Sequence, residues 1–295
     1  MQPWFTWFSA SHTTIPDGVQ IADGMFNDHS CLRVLFGGFW TAMTADGPME
    51  FDPGEQGMTL YFGPHSKVMP ITVRGEFKVI TVHLAPGAGS VMGGPRQVDM
   101  IDRIVDQDEN AGRGQFSSRF DPDAGPQEWL AVFERELAKF LEVNRTSRPD
   151  DLTLAFEQCT LVDPSFSLAR FAEEQGVASR TVERTIQRDY GLSPKQVQRR
   201  ARALDLVAAL LGVAMEEEEA ALRLRYFDQS HQNREIRHFF DTTPGKLAAG
   251  AHPLLRLSLE TRQARRLAAI DAKPLGALPP WRDPGAEPAQ KQGEA

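Results

Sequence analysis

Cysteine is scarce: the 295-residue chain has two, Cys31 and Cys159, and no Cys-x-x-Cys pair. That excludes a disulfide framework and a four-cysteine zinc module, leaving each thiol to read as a small buried hydrophobe in a reduced compartment. No apolar run approaches the roughly 18 residues of a membrane helix, and Met1-Gln2-Pro3-Trp4 lacks the basic stretch of a secretory signal. A cytoplasmic location away from membranes is expected. Histidines are scattered as well: His12, His29, His65 and His83 form no His-x-His and precede no glutamate at ligand spacing. Gly87-Ala88-Gly89 and Gly93-Gly94 lack the spacing and following lysine of a phosphate loop. No catalytic residue, metal or cofactor is indicated, so the expectation is not an enzyme.

There is no overall excess of positive charge either, since the net charge is −8. Its distribution is uneven. From Ser165 to Arg266 the chain has 17 Lys and Arg against 13 Asp and Glu, a balance of +4, which leaves −12 on the remainder. A chain of this length with 41% hydrophobic residues supports two domains with separate cores, and the basic part is the one suited to a polyanion.

That basic part contains a recognisable pattern. Ser167 to Val177 reads as a short helix with Leu168, Phe171 and Ala172 inward, and Gly176 supplies a turn. Ala178 to Arg188 reads as a second helix with Val182 and Ile186 inward. Arg180, Arg184 and Arg188 then recur every four residues on its outer face. Taken alone, this is also the pattern of a helical hairpin with a solvated arginine row. A second unit follows, with Ala220 to Leu224 opening one helix and Asp228, as N-cap, opening a polar-faced helix to Phe240. The units close alike, on Gly191-Leu192-Ser193-Pro194 and Asp241-Thr242-Thr243-Pro244. Between them, Pro194 to Leu211 has helical apolar spacing and spans roughly 27 Å at 1.5 Å per residue, near the ~34 Å between successive major-groove faces.

Over about Asp151 to Gly250 the chain resembles the AraC/XylS family of transcriptional regulators. Ala172, Gly176, Arg180, Val182, Arg184, Ile186 and Gly191-x-Ser193-Pro194 carry the first half of the likeness. Asp228-Gln229-Ser230-His231, Arg234, Arg237 and Thr243-Pro244 carry the second. The resemblance implies an all-α DNA-binding domain with two helix-turn-helix units joined by a long helix. Arg180 and Arg184 would read base edges, with Ser179, Thr181, Glu183 and Arg188 in support or on phosphate. Gln229, Ser230, His231, Arg234 and Arg237 are the corresponding residues of the second unit. The chain departs from the pattern at Ala178, where a capping serine is usual and Ser179 could cap instead, and at Ile186 for phenylalanine. In the second unit Arg225 and Asp241 replace glycines, Gln232 replaces an inward aromatic, and Glu216 to Glu219 form an acidic run. Specificity is therefore expected mainly from the first unit.

The first hundred residues alternate short β-rich runs with turns. Cys31 to Trp40, Met58 to Phe62, Ile71 to Val73 and Phe77 to Leu84 read as strands. Ala45 to Pro48, Asp52 to Gly54 and Arg74-Gly75-Glu76 read as turns. A small cupin-like barrel or sandwich is expected, similar to the sensor domain that precedes some AraC-like domains, on Ile15-Pro16-Asp17-Gly18 and Val82 to Gly89. Trp4, Phe5, Trp7, Phe8, Phe36, Phe39, Trp40, Tyr61 and Phe62 are core or pocket aromatics. Gln97 to Val105 reads as a short helix, and Asp106 to Pro126 as loop. Gln127 to Asn144 reads as an amphipathic helix with Leu130, Phe133, Leu137, Phe140 and Leu141 on one side. The tail after Arg266, rich in Pro, Gly and charge, is expected to be disordered.

The expected organisation is α+β: a β-rich sensor domain over 1–105, a loop and linker helix over 106–150, a DNA-binding domain over 151–255, and a helical then disordered tail. The expected partners are double-stranded DNA, a small-molecule effector, RNA polymerase if the protein activates, and a second copy as a homodimer. Two other readings stand beside this one: a protein-interaction module with a degenerate second unit, and a cupin-like metal enzyme.

Overall fold

The computed structural model describes residues 3–110, 116–214 and 229–271. Seven antiparallel strands form one sheet that does not close: β1 (Phe5–Thr13), β2 (Ile21–Met25), β3 (Cys31–Thr44), β4 (Gly47–Phe51), β5 (Met58–Phe62), β6 (Met69–Leu84) and β7 (Ile104–Asp106). The main order is β1-β6-β3-β5-β7, while β2 pairs with the start of β6 and β4 with the end of β3. Because β3 and β6 each carry different partners on their two halves, the sheet folds over into a cup. This is the sandwich form of the expected architecture.

The turn expected at Arg74-Gly75-Glu76 does not form, and β6 runs through it. Opposite lie Gly37 and Gly38, and all three glycines have φ between 63° and 80°. The register slips there between Gly37 and Phe39, so the paired strands bend together at a bulge instead of reversing. Trp40 and Phe77 fill the bend edge to face, 4.7 Å apart. The helix expected over Gln97 to Val105 shrinks to a 3-10 turn at Gln97–Met100, and Ile104–Asp106 joins β5 as a strand. Asp102, at φ 56°, ends the turn, and its carboxylate accepts the amide of Ser66 at 2.8 Å.

Strand alternation puts the two faces of the sheet to different uses. On β6, Val79, Thr81 and His83 face the interior of the cup. Ile80, Val82 and Leu84 face a second core under α3 (Pro126–Asn144). Residues 79 to 84 are all buried for that reason. Phe133 and Leu137 of α3 bury their stripe on the sheet, Phe133 meeting Phe5 edge to face at 5.3 Å. Short helices α1 (Ala88–Val91) and α2 (Gln107–Asn110) lie between β6 and α3; the latter lies in the stretch expected as loop.

The rest of the chain is helical: α4 (Asp151–Val162), α5 (Leu168–Glu174), α6 (Ser179–Tyr190), α7 (Pro194–Leu210), α8 (Gln229–Phe240), α9 (Pro244–Ala249) and α10 (Pro253–Asp271). Helix α7 starts on a capping box: Ser193 accepts the Gln196 amide, and the Gln196 side chain accepts from the Ser193 amide at 2.9 Å. Helix α10 continues past Arg266, where disorder was expected, as far as Asp271; the remaining tail lies outside the described residues.

Buried charge joins the sheet to these helices. The Asp28 carboxylate, in the β2–β3 loop, accepts from Arg265 at 2.6 Å and Arg262 at 2.9 Å, both on α10. Its carbonyl accepts from Arg200 of α7 at 2.6 Å, and Arg200 also reaches the carbonyl of His65 at 2.8 Å. His29 lies between Arg265, 2.6 Å from its Nδ1, and Glu157 of α4, 3.1 Å from its Nε2. Tyr190 of α6 donates to the same Glu157 oxygen at 2.8 Å. Asp205 of α7 takes Arg262 at 3.1 Å. At the N-terminus of α10, Asp23 of β2 accepts the amides of Leu254 and Leu255 at 2.7 and 3.1 Å, capping the helix from the other domain.

Burial alone would raise the Asp28 pKa, but Arg265, His29, Arg262 and Arg200 together hold it well below the ordinary carboxylate value. Glu157 is likewise lowered to about 2, burial being overridden by His29 and Arg265. A depressed acid stabilises above its unfolded pKa, so the Glu157 contribution is full above about pH 4.5 and fades as pH falls toward about 2. Asp28→Ala removes the carboxylate shared by two buried guanidinium groups, leaving Arg262 only Asp205 and Arg265 only His29 and Glu157, and should cost about 3–5 kcal/mol of stability at neutral pH. Urea titrations of wild type and variant at neutral pH, and of wild type at pH values stepped down through this window, measure both effects.

Candidate nucleic-acid interface and interior pocket

The first helix-turn-helix unit is α5 and α6. Ser167 caps α5, its hydroxyl accepting the Arg170 amide at 3.3 Å. Gly176, at φ 66°, makes the turn. Ala178 is the N-cap of α6 and makes no side-chain cap bond; Ser179 is the first helical residue, so the one-residue capping shift does not occur. Val182, Ile186 and Tyr190 are buried against Phe156, Phe171 and Val197. That anchoring leaves the opposite face outward.

On the outward face Ser179, Arg180, Glu183, Arg184, Gln187 and Arg188 are exposed, with Thr181 half-buried. Arg180 and Arg184 make no hydrogen bond or ion pair among the described residues. Arg188 is different: it donates to Asp189 at 2.6 Å from two nitrogens and to Asp150 at 3.2 Å. The bond to Asp189 leads in raising its pKa further. Asp189 is itself fixed by Thr153 at 2.6 Å. Of the arginine row, Arg180 and Arg184 are the two with unengaged guanidinium groups, while Arg188 serves the junction with α4.

The second unit is described from Gln229. Ala220 to Leu224, Glu216 to Glu219, Arg225 and the cap Asp228 lie outside the described residues, as do the side chains of Gln229 and His231. In α8, Ile236, Phe239 and Phe240 pack on Leu204 and Val207 of α7, and Ser230, Arg234 and Arg237 are exposed. Gln232, in place of an inward aromatic, is half-buried. Glu235 takes Arg199 of α7 in a two-pronged pair at 2.8 and 2.9 Å. Phe26, from the sheet side, packs at a tilt against Phe240 with ring centroids 5.3 Å apart, and the Val68 amide donates to the Phe239 carbonyl at 2.7 Å. Asp241, where the family pattern has glycine, stands at φ 49°.

Inside the cup lies a cavity of about 460 Å³, within the range of small-molecule sites. Trp7, Trp40, Phe51, Phe62 and Phe77 line the sheet side, and Leu254, Leu257, Thr261 and Ala264 of α10 form the wall opposite. Trp7, Trp40 and Phe62 were legible as pocket aromatics; the wall from α10 was not. Arg33 is the cation of this space. Its guanidinium lies over the Phe62 ring at 4.6 Å and donates to Asn27 at 3.3 Å, while the buried Nε has no hydrogen-bond partner. His83 also faces the cavity, and burial, then Arg265 and Arg33, hold its pKa well below the ordinary value, so it is neutral. His65 is lowered to about 4 by burial and bonds the Met25 carbonyl at 3.1 Å. The described residues contain no group of three His, Cys, Asp or Glu side chains placed to hold a metal. No described helix is long and apolar enough to cross a membrane.

Residues 171–250 match the family model of the helix-turn-helix domain, of the AraC type. No curated protein sequence matches the chain at a significant level. Among solved structures the chain is similar to ToxT from Vibrio cholerae. An apo, singly substituted ToxT is 9% identical, with 82% of this chain and 96% of that chain covered and a TM-score of 0.45. Wild-type ToxT with unsaturated fatty acid bound is 9% identical over 84% and 97% at 0.44. A third ToxT structure is 7% identical over 82% and 97% at 0.44.

The Asp241 backbone gives a direct check on the second unit. Asp241→Gly should stabilise the protein by up to about 1 kcal/mol, because a left-handed residue with a Cβ is strained. The measurement is the urea midpoint of variant against wild type. A destabilised variant would mean that the aspartate side chain contributes more than the backbone relief.

Proposed function

We propose that this chain, with its AraC-type helix-turn-helix domain, is a sequence-specific regulator of transcription that binds double-stranded DNA and answers to a small molecule held in the β cup. The observation that carries the first part is α6, whose Arg180 and Arg184 stand unengaged on the face opposite its buried stripe. Arginine in that position donates two hydrogen bonds to a guanine edge. Ser179, Thr181, Glu183 and Arg188 support it or meet phosphate, and Gln229, Ser230, His231, Arg234 and Arg237 add contacts from the second unit.

For the second part, the cavity is mainly apolar and its wall belongs to α10, the helix that also binds Asp28. An effector with an apolar body suits this space, with Arg33 the group available to an acidic function. An activator of this design also contacts RNA polymerase, and a homodimer sets two readers on adjacent half-sites.

Selection from a random duplex pool with the full-length protein should enrich one motif. Arg184→Ala should then lose about 1–3 kcal/mol on that motif and relax the preference at one base pair. A pool that stays random, or an Arg184→Ala protein with unchanged affinity and preference, overturns the assignment.

A further inference from the structure

The outward face of α6 does not stand alone: residues 94–98 of the β-rich domain run beside it, and an open groove of about 710 Å³ separates the two. The two walls meet beyond the end of the groove. Gly191, closing α6 at φ 70°, lies so near Gln97 that a Cβ there would meet its carbonyl at 2.7 Å. The backbones that carry the two walls are in contact there.

Positive charge faces the groove from both sides: Arg180 and Arg184 come from α6, where Arg188 is held by Asp189 and Asp150, Arg96 faces the same groove from the other domain, and Glu183 is the one carboxylate among its lining residues. The Arg96 side chain is 80% exposed, and its ion pair with Asp99 is long, at 3.7 Å. Like charge on two facing walls is repulsive when the groove holds only water, and complementary when an anion lies between them. A helix that reads the major groove has a phosphate strand running along each flank.

We propose that Arg96, a residue of the β-rich domain, clamps a backbone phosphate of the DNA read by α6, across the groove from Arg184, so that the sensor domain is itself part of the DNA interface. This rests on α6 being the reading helix.

The test uses full-length protein and the duplex recovered by selection, titrated by fluorescence anisotropy from about 50 to 200 mM KCl. Arg96→Ala should bind about three- to tenfold more weakly at the lowest salt. It should also flatten the slope of log affinity against log salt by about one, with the preferred sequence and melting temperature unchanged. Arg96→Lys, which keeps the charge, should retain the wild-type slope. Wild-type affinity and slope in Arg96→Ala overturn the clamp while leaving α6 as the reader. Tighter binding by Arg96→Ala overturns it too, since the wall then obstructs DNA. If inorganic pyrophosphate raises the melting temperature of wild type but not of Arg96→Ala while the DNA slopes agree, the groove holds a free polyphosphate and the clamp is again overturned. A wild-type protein that binds no duplex removes the reading of α6 itself.

Discussion

The carboxylate of Asp28 is the point on which the arrangement of the two halves depends. It sits in a loop between two strands, yet its partners are guanidinium groups of α10, and its own carbonyl holds a third arginine on α7. Burying the carboxylates of Asp28, Glu157 and Asp205 with several arginines is unfavourable for each group separately and tolerable only when they are paired. The sheet, α4, α7 and α10 are thus tied through a shared set of buried charges, Arg262 joining Asp28 to Asp205 and Arg265 joining Asp28 to His29 and Glu157. Apolar contact alone would allow the halves to slide, whereas a shared carboxylate fixes one orientation.

The two helix-turn-helix units differ in how they are supported. The first follows its sequence closely: a capped short helix, a left-handed glycine, and a second helix whose stripe is buried by aromatic residues. The second is braced by contacts that the motif does not contain, including the Arg199–Glu235 pair and the ring of Phe26. Bracing of this kind accommodates departures such as Asp241, because the surroundings hold the backbone where the residue alone would not.

Local patterns were legible in the sequence to the extent that their causes are local. Met58–Phe62 is a strand with the expected ends, and α6 has the inward residues that its spacing dictates. The glycine-rich bend was misread because Gly75 looks like a reversal until the glycines on the neighbouring strand are set against it. The cavity was half visible: its aromatics stand in the strands, but its far wall comes from a helix read as the beginning of a tail. The buried network was invisible for the same reason. Arg262 and Arg265 look like surface charge when counted along the chain, and the acid they share lies 234 and 237 residues away.

That separation governs the order in which the molecule can be assembled. Every strand of the sheet leaves the ribosome before α10 exists, so the cup is complete but open on one side while the intervening helices are being made. Asp23 and Asp28 remain hydrated until the final helix arrives to neutralise them. Contacts between such distant segments close loops of more than 230 residues, and loop closure on this scale slows folding. The cavity therefore passes through an unroofed stage in every newly made molecule, and its last wall is added in the same step that locks the helical half onto the sheet.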